Sequence, residues 1–458
     1  MEVLPVFIGD ELRGAKITVL GAGVSGVSIA RLARRLGADV FVSDSAKIPE
    51  AVASSFEGNG IRYEQGGHTD EVHPADKIVV CSGFPPHAPI LKKIAERGAS
   101  PIGELDFVIP YIKGQVIGVT GSNGKTTTTS LIGHLINAAG ALCAVAGNIG
   151  SPIADFAGED YDYVALELSS FQLHWAMDVQ IAGAVVTNLA PDHIDWHGSY
   201  DNYVAAKARI LSFTGEDGFG IVQRRDLKQL KAAGNRILLL GWSDGENASH
   251  SSGGIEMSRR DRAARIGDAE LFRFEETKLM GTHNMENIAM AMAVIKLLGL
   301  DETSARASLG SFEAPPHRCK LVLEHSGVRY IDDSKGTNIA ASITAMSSIE
   351  GPHIVILGGR GKGEDYANLS EPLGKFAKCA LLIGEAAKEI ARSLAQCGYT
   401  NFIEAGDLEN AVRIASSEAA LGDSVLLSPA CTSWDAYKNY NERGDHFTSL
   451  ARKYAGET

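Results

Sequence analysis

No two of the six cysteines, Cys81, Cys143, Cys319, Cys379, Cys397 and Cys431, stand at CxxC spacing, so the paired-thiol signatures of zinc and redox motifs are absent. Six scattered thiols in 458 residues make no disulfide scaffold and are expected to be reduced, in a cytosol-like compartment. No apolar run reaches the roughly 18–20 residues that span a bilayer. Near the start, Glu2, Asp10 and Glu11 replace the basic and then apolar regions of a secretory signal, so none is expected. A basic excess is missing too: 43 Lys and Arg face 56 Asp and Glu, a formal net charge of −13. Such a chain lacks the electrostatic footprint of a general nucleic-acid or anionic-membrane binder. Any phosphate must therefore be held by a local site.

With 45% hydrophobic and 22% charged residues, the composition is that of a globular protein of two to four domains. Short β-branched runs, glycine-rich turns and alanine- and leucine-rich stretches alternate along the chain, the pattern of an α/β protein with open, mostly parallel sheets. The first unit is a strand over Lys16 to Leu20, the turn Gly21-Ala22-Gly23-Val24-Ser25-Gly26, a helix from Val27 to Leu36, and a strand over Val40 to Val42 that ends at Asp44. The pattern restarts after residue 112 and again at Ala314-Pro315-Pro316. Three domains are expected, over residues 1–112, 113–314 and 315–458. A long helical stretch is predicted from about Asn284 to Gly310, with buried strands beyond it over 328–331, 354–357, 380–383 and 424–427. The segment from Ser243 to Asp268, rich in Ser, Gly, Arg and Asp, reads as an exposed loop or irregular excursion.

The strongest motif is Val116-Ile117-Gly118-Val119-Thr120-Gly121-Ser122-Asn123-Gly124-Lys125-Thr126-Thr127. A strand runs into a glycine turn, and Lys-Thr opens a helix that continues to Ile136. Such a turn lets backbone N–H groups close on phosphate oxygens, and the helix dipole adds to their pull. Lys125 would neutralise β/γ charge and Thr126 would place a hydroxyl on Mg²⁺. The loop is one residue tighter than usual, with Val119 where a glycine is expected. The earlier GxGxxG turn, with Asp44 as a ribose acid, also fits a dinucleotide fingerprint, and an NAD-dependent oxidoreductase stays open on that motif. Further on, Tyr163-Val164-Ala165-Leu166-Glu167 delivers a carboxylate to a strand's end, where it could hold the Mg²⁺ of a nucleotide. Next come a strand ending near Asp192-His193 and a helix carrying Lys207. Each of these residues alone has a structural explanation; their order (phosphate loop, Glu, His, Lys) does not arise from any one of them.

The blocks TGSNGKTTT, AGNIGSP, LELSSFQL, TNLAPDHIDWHGSYDNYVAAKARI, GTHNMENIAMA, PPHRCKLV, YIDDSKGTN, LGGRGKGEDY and LLSPACTSWDAYKNYNERGDHF together resemble the Mur ligase family, ATP-dependent amide-forming enzymes of bacterial peptidoglycan synthesis. They run from about residue 120 to 447, and the first glycine turn extends the match to residue 21. DDSKGTN and SPACTSWDAYKNY are most similar to the D-glutamate-adding branch. The resemblance implies a Rossmann-like first domain for a UDP-sugar, a central P-loop-type ATP-binding domain and a Rossmann-like C-terminal domain for the amino acid. It implies the substrates ATP, UDP-N-acetylmuramoyl-L-alanine and D-glutamate, and a cytoplasmic monomer.

The resemblance also implies roles for residues. Gly121, Ser122, Asn123, Gly124, Lys125, Thr126 and Thr127 would cradle the ATP phosphates. Asn284 and Asn287 would lie near the adenine, Arg318 would reach the phosphates, and Asp333 and Lys335 would sit close to the nucleotide. Thr126 and Glu167 would hold one Mg²⁺ and His193 a second, with Lys207, carrying a CO₂-derived carbamate, placing metal. Lys125, His193, Lys207 and Lys335 form the expected catalytic set. Val24, Ser25, Asp44, Ser45, Ser82 and Gly83 would meet uridine and diphosphate, and Asn148 the nucleotide-sugar. Thr337, Lys362, Ser433 and Tyr440 would form the amino-acid pocket. Two positions depart from the family: Ala46, where an arginine can stand, and Tyr440, where phenylalanine is frequent. Readings from other classes remain at this stage: a sister ligase taking a different amino acid, L-glutamate included, a folylpolyglutamate-synthase-like enzyme, the oxidoreductase, or a non-enzymatic ATP-dependent switch.

Overall fold

The computed structural model describes residues 11–73, 75–231, 236–244, 253–279, 281–349 and 351–456; Glu2 and Asp10 lie outside them. It forms two compact units. One comprises residues 1–189, 196–277 and 287–310, and the other residues 190–195, 278–286 and 311–458. All six cysteines are free. No helix among the described residues is long and apolar enough to cross a membrane.

The first unit contains two sheets. Strands β1 (Lys16–Leu20), β2 (Asp39–Asp44), β3 (Arg62–Gln65), β4 (Lys77–Val80) and β5 (Ile102–Gly103) form a parallel sheet in the order β3-β2-β1-β4-β5. Reversal of strand order on either side of β1 opens a crevice at the strands' carboxyl ends. The glycine turn and the N-terminus of helix Val24–Arg35 face that end.

The second sheet has nine strands: β6 (Gln115–Thr120), β7 (Cys143–Gly147), β8 (Tyr163–Glu167), β9 (Ile181–Val186), β10 (Thr214–Gln223), β11 (Ile237–Trp242), β12 (Ile255–Ser258), β13 (Ala263–Ile266) and β14 (Ala269–Arg273). Their order is β14-β13-β12-β11-β10-β9-β6-β8-β7. The central strands β6, β8 and β9 are almost wholly buried, as expected for parallel strands covered on both faces. Helix Lys125–Ala138 opens with Lys-Thr-Thr-Thr-Thr, a poor helix-forming run. Packing overrides that preference: Thr126 to Thr129 are all buried and Thr129 Oγ1 bonds back to Lys125 O at 2.8 Å.

Two sequence expectations need correction here. The Ser243–Asp268 segment is not an irregular excursion where it is described. It supplies the antiparallel hairpin β12–β13 that, with β14, finishes the sheet. The long helix expected to Gly310 is broken: Thr282–Leu297 ends before Gly299, whose φ of +68° no helix can continue through, and a short helix, Glu302–Ala307, follows.

The second unit is built on β15 (Lys320–His325), β16 (Val328–Asp332), β17 (His353–Gly358), β18 (Ala377–Ile383), β19 (Phe402–Gly406) and β20 (Ser424–Leu427), in the order β15-β16-β20-β17-β18-β19. All pairs are parallel except β15–β16. Alternate residues of each strand point to opposite faces, and both faces are apolar. Val355, Leu357, Leu382 and Leu426 join one core cluster, and Ile354, Ile356, Leu381 and Val425 the other. Helices therefore pack on both sides. The molecule is an α/β protein of three sheets.

Candidate active site

A cavity of about 740 Å³ lies at the carboxyl end of the first sheet, and Val24, Ser25, Asp44, Ser45, Ser82 and Gly83 all line it. The structure thus gathers the whole expected uridine-diphosphate set in one place. Asp44 accepts the backbone N–H of Ala22 at 2.7 Å and of Ala46 at 2.8 Å, which locks the glycine turn to the end of β2. At Ala46 the backbone is thus in use while the side chain is only a methyl. The loop after β4 is fixed by Glu104, a buried carboxylate that accepts Ser82 N–H at 3.1 Å and Gln172 Nε2–H at 2.5 Å. Burial raises the Glu104 pKa, with those donors opposing it. His68, Phe84, His87 and Lys93 line the same cavity and were not singled out in sequence. His68, Phe84 and His87 sit on turns after β3 and β4 and Lys93 on helix Pro89–Glu96, with no local motif to signal them.

In the second sheet, β6 leads into the phosphate loop. Gly121 adopts φ +144°, and a side chain there would lie 1.9 Å from Thr187 Oγ1, so only glycine fits. The loop is laced to the end of β9. Ser122 N–H donates to Asn188 O at 2.8 Å, Asn123 N–H to Asn188 Oδ1 at 3.0 Å, and both Thr187 Oγ1–H (2.5 Å) and Asn188 Nδ2–H (2.9 Å) to Asn123 O. Thr187 and Asn188 are positioning residues that sequence reasoning did not name, although they stand in the TNLAPDH block. Lys125 Nζ donates to the carbonyls of Gly121 and Ser122, both at 2.9 Å. Lys207, 1% exposed, donates to the same Gly121 oxygen at 2.7 Å and lies 4.7 Å from the Tyr203 ring centroid. Tyr203 in turn shares a 2.9 Å hydrogen bond with Ser122 Oγ. Two ammonium groups from distant segments therefore meet at one oxygen of the loop.

Glu167 ends β8 opposite Val119 of β6 and is buried, as is Thr126. Asn148 donates to Glu167 Oε1 at 3.2 Å and its N–H to Glu167 O at 3.0 Å, so this expected substrate contact adjoins the expected metal carboxylate. Asn287 approaches the other side of the loop: a side chain at Gly124 would meet its Oδ1 at 2.5 Å. The donor set, one hydroxyl and one carboxylate beside a phosphate cradle, fits Mg²⁺, which takes few protein ligands and completes its shell with water and phosphate oxygens. Among the described residues no three His, Cys, Asp or Glu side chains cluster as an all-protein metal cage.

His193 and Asn284 belong to the second unit. His193 has φ +52°; its N–H donates to Asp192 Oδ1 at 3.0 Å, and its Nε2 lies 3.6 Å from Asp192 Oδ2. Lys362 Nζ pairs with Asp192 Oδ1 at 3.0 Å, and Asn338 Nδ2 reaches Asp192 Oδ2 at 3.4 Å. Asn338, which follows Thr337, and Lys362 thus share one carboxylate. The loops after β16, β20 and β17, adjacent strands, are tied together. Ala430 N–H donates to Gly336 O at 2.9 Å, and Arg360 and Thr432 exchange two backbone bonds of 3.0 Å. This brings the segment of Ser433 beside those of Thr337 and Lys362. Tyr440 opens helix Tyr440–Ala455. Its carbonyl accepts Ser334 Oγ–H at 2.8 Å, and its ring lies 4.8 Å from Lys335 Nζ, so the ring packs on a cation. Asp333 is buried, accepts Ser428 Oγ–H at 2.7 Å and Cys319 N–H at 3.3 Å, and has its pKa pushed up to about 7 by burial, against the pull of Ser428 and Arg318. Asn284 is buried, with its N–H on Gly281 O at 3.1 Å.

A phosphate loop on a mostly parallel sheet, in a chain that forms two further α/β sheets, defines a multidomain nucleotide-dependent enzyme. Residues 16–90 match the MurD N-terminal domain, 119–295 the Mur ligase middle domain, and 317–431 the Mur ligase, glutamate ligase domain. The chain is 36% identical over 446 residues to UDP-N-acetylmuramoylalanine--D-glutamate ligase of Pelotomaculum thermopropionicum, covering 95% of this chain and 97% of that protein. It is 36% identical over 454 residues to the protein of the same name from Acidobacterium capsulatum, covering 97% and 98%. Its fold is similar to that of MurF ligase from Thermotoga maritima, solved with ADP, at a TM-score of 0.60 and 16% identity over 99% of both chains. The chain belongs to the Mur ligase family.

Proposed function

We infer that this protein is an ATP-dependent ligase that joins D-glutamate to UDP-N-acetylmuramoyl-L-alanine in the synthesis of peptidoglycan precursors, acting in cell-wall formation. The observation that carries the chemistry is the meeting of Lys125 and Lys207 on Gly121 O of the phosphate loop, whose strand β6 pairs with the strand that ends in Glu167. ATP transfers its γ-phosphoryl group to the terminal carboxylate of the UDP-sugar-alanine. The glutamate amine attacks the resulting acyl phosphate, and the tetrahedral intermediate collapses to amide and phosphate. Little covalent chemistry falls to the protein, whose contribution is positioning and charge stabilisation. Lys125 and the loop N–H groups offset charge on the transferring group. Thr126 and Glu167 would hold Mg²⁺, which would supply positive charge against the phosphate groups, and His193 would serve a second ion.

In this reading Lys207 carries a carbamate. A carbamylated lysine keeps one N–H, enough for its bond to Gly121 O, while the added carboxylate turns a cation into a metal-placing anion. The cavity of the first sheet takes the UDP moiety, Thr337, Lys362, Ser433 and Tyr440 take glutamate, and Arg318, Asp333, Lys335, Asn284 and Asn287 surround the nucleotide. Domain boundaries near residues 112 and 314, a monomeric state and a cytoplasmic location complete the reading. The oxidoreductase is disfavoured because residues 16–90 match the MurD N-terminal domain.

The test is product mass and chirality with purified UDP-N-acetylmuramoyl-L-alanine, ATP, Mg²⁺ and each glutamate enantiomer separately. A UDP-linked product from D-glutamate alone is expected. Product from L-glutamate, from a diamino acid or from L-alanine overturns the assignment.

A further inference from the structure

Strand β3 runs into Gly66-Gly67-His68, a turn to which neither phosphate transfer nor the amino-acid pocket assigns a task. His68 lines the cavity of the first sheet together with Asp44, Ser45 and Phe84. Its Nδ1 lies 2.7 Å from Ser43 Oγ, and Ser43, on β2, is fully buried. The same hydroxyl donates to Glu64 Oε1 at 2.6 Å. Glu64 also accepts Thr69 N–H at 3.0 Å and Thr69 Oγ1–H at 2.5 Å. Burial raises the Glu64 carboxyl, but the Ser43 and Thr69 donors outweigh it and hold the group below its ordinary range. Glu64 is thus ionised at neutral pH and only accepts.

A hydroxyl has one proton. Ser43 directs its proton at Glu64, so its oxygen meets the imidazole as an acceptor, and Nδ1 must carry the ring hydrogen. Burial keeps the His68 ring below its ordinary pKa, against the opposing pull of Glu64 and Asp44. The ring is neutral at pH 7 and Nε2 is an acceptor. No hydrogen bond of Nε2 occurs among the described residues. Beside it stands the Phe84 ring, 5.5 Å away between centroids and tilted by 55°. Phe84 is held by its N–H on Cys81 O at 3.0 Å and by its carbonyl, which accepts Trp175 Nε1–H at 3.2 Å. The cavity thus contains, apart from the Asp44 carboxylate, a fixed ring acceptor next to a fixed apolar plate.

The ends of β1, β2 and β3 follow one another across the sheet, about 4.8 Å apart. A ligand with its diphosphate on the glycine turn after β1 extends its nucleoside past Asp44 toward His68. Uracil offers an N3–H donor on its pairing edge, where cytosine offers an acceptor. We propose that His68 is the residue that selects uracil, accepting the base's N3–H on Nε2, with Ser43 and Glu64 as positioning residues that fix its tautomer. The proposal rests on the nucleotide-sugar reading of this cavity.

The test uses the full-length protein, with UDP, CDP and 3-methyl-UDP as calorimetric ligands at pH 7.5. UDP should bind about tenfold or more tightly than either competitor, the value of one well-placed hydrogen bond. His68→Ala should bind UDP and 3-methyl-UDP alike, and Ser43→Ala, which touches no ligand, should narrow the preference. Nitrogen-15 spectra of the wild type should show the hydrogen on Nδ1. Equal binding of UDP and 3-methyl-UDP by the wild type, a preference that survives His68→Ala or is untouched by Ser43→Ala, or a ring protonated on Nε2 overturns the role given to His68. Failure to bind UDP at all brings down the nucleotide-sugar reading, and this proposal with it. The ligand comparison needs no variant, so it holds even where a substitution unfolds the domain.

Discussion

At the residue level, Lys125 and Lys207 both donate to Gly121 O, and in the proposed scheme Lys125 stays a cation while Lys207 becomes an anion. Lys125→Ala should lower the rate of phosphate release about 10²–10³-fold, the usual effect of deleting one preorganised charge-stabilising group. Lys207→Ala should lose most activity and regain part of it with a small added carboxylate, and it should lack the carbamate signal expected of the wild type by carbon-13 spectroscopy under labelled CO₂. Unchanged activity in Lys207→Ala would remove the residue from the mechanism. Asp333 gives a pH signature. Its folded pKa, about 7 against an ordinary 3.8, lies above the unfolded one, so the native state binds the extra proton. Stability therefore falls as pH rises from about 4 to 7, by about 4 kcal/mol in total. Asp333→Asn should flatten that part of the curve in urea melts taken at stepped pH. Contiguity made such residues readable or hid them. Lys125 and Thr126 announce themselves because strand, turn and helix are consecutive. His68 was invisible because its proton is placed by Ser43 and Glu64, on two different strands.

At the level of elements, helix Tyr440–Ala455 does more than cover a face of the third sheet. Its Arg443, 1% exposed, donates to Ser334 Oγ at 3.0 Å, Ser334 O at 2.8 Å, Thr432 O at 3.2 Å and Cys431 O at 3.2 Å. One guanidinium thereby satisfies the loops that carry Lys335 and Ser433. Burial lowers its pKa to about 10, and the side chain stays charged at neutral pH. Arg443→Ala would leave several buried acceptors without a donor, and should cost about 3 kcal/mol in denaturant unfolding; a loss under 1 kcal/mol would contradict the geometry. Strands were legible wherever both faces are buried, as in β6, β8 and β17, since an unbroken apolar run has few other uses. The hairpin of β12 and β13 was missed for the converse reason: its strands mix buried and partly exposed positions within a stretch rich in Ser, Arg and Asp. The overlong helix came from composition, which does not register that one glycine with positive φ ends a helical stretch.

At the level of the whole molecule, each sheet opens its carboxyl end to a different reactant in the proposed scheme, so no sheet alone completes the reaction. Phosphate release should accordingly require both the UDP-sugar and glutamate; equal ATP turnover without the amino acid would argue for a different chemistry. The three-sheet plan was legible from the two restarts of the strand–turn–helix pattern, whereas the interleaving of the chain was not, because it depends on distant packing. The unit holding the third sheet also recruits residues 190–195 and 278–286. Asp192, the partner of Lys362, travels with the first of these and His283, bonded to Ser348 at 2.8 Å, with the second. Building chimaeras between family members is thereby constrained. A graft spliced at a single junction near residue 311 would pair a foreign Lys362 and Ser348 with the host's own Asp192 and His283, so exchanging amino-acid preference calls for transplanting three stretches of gene together.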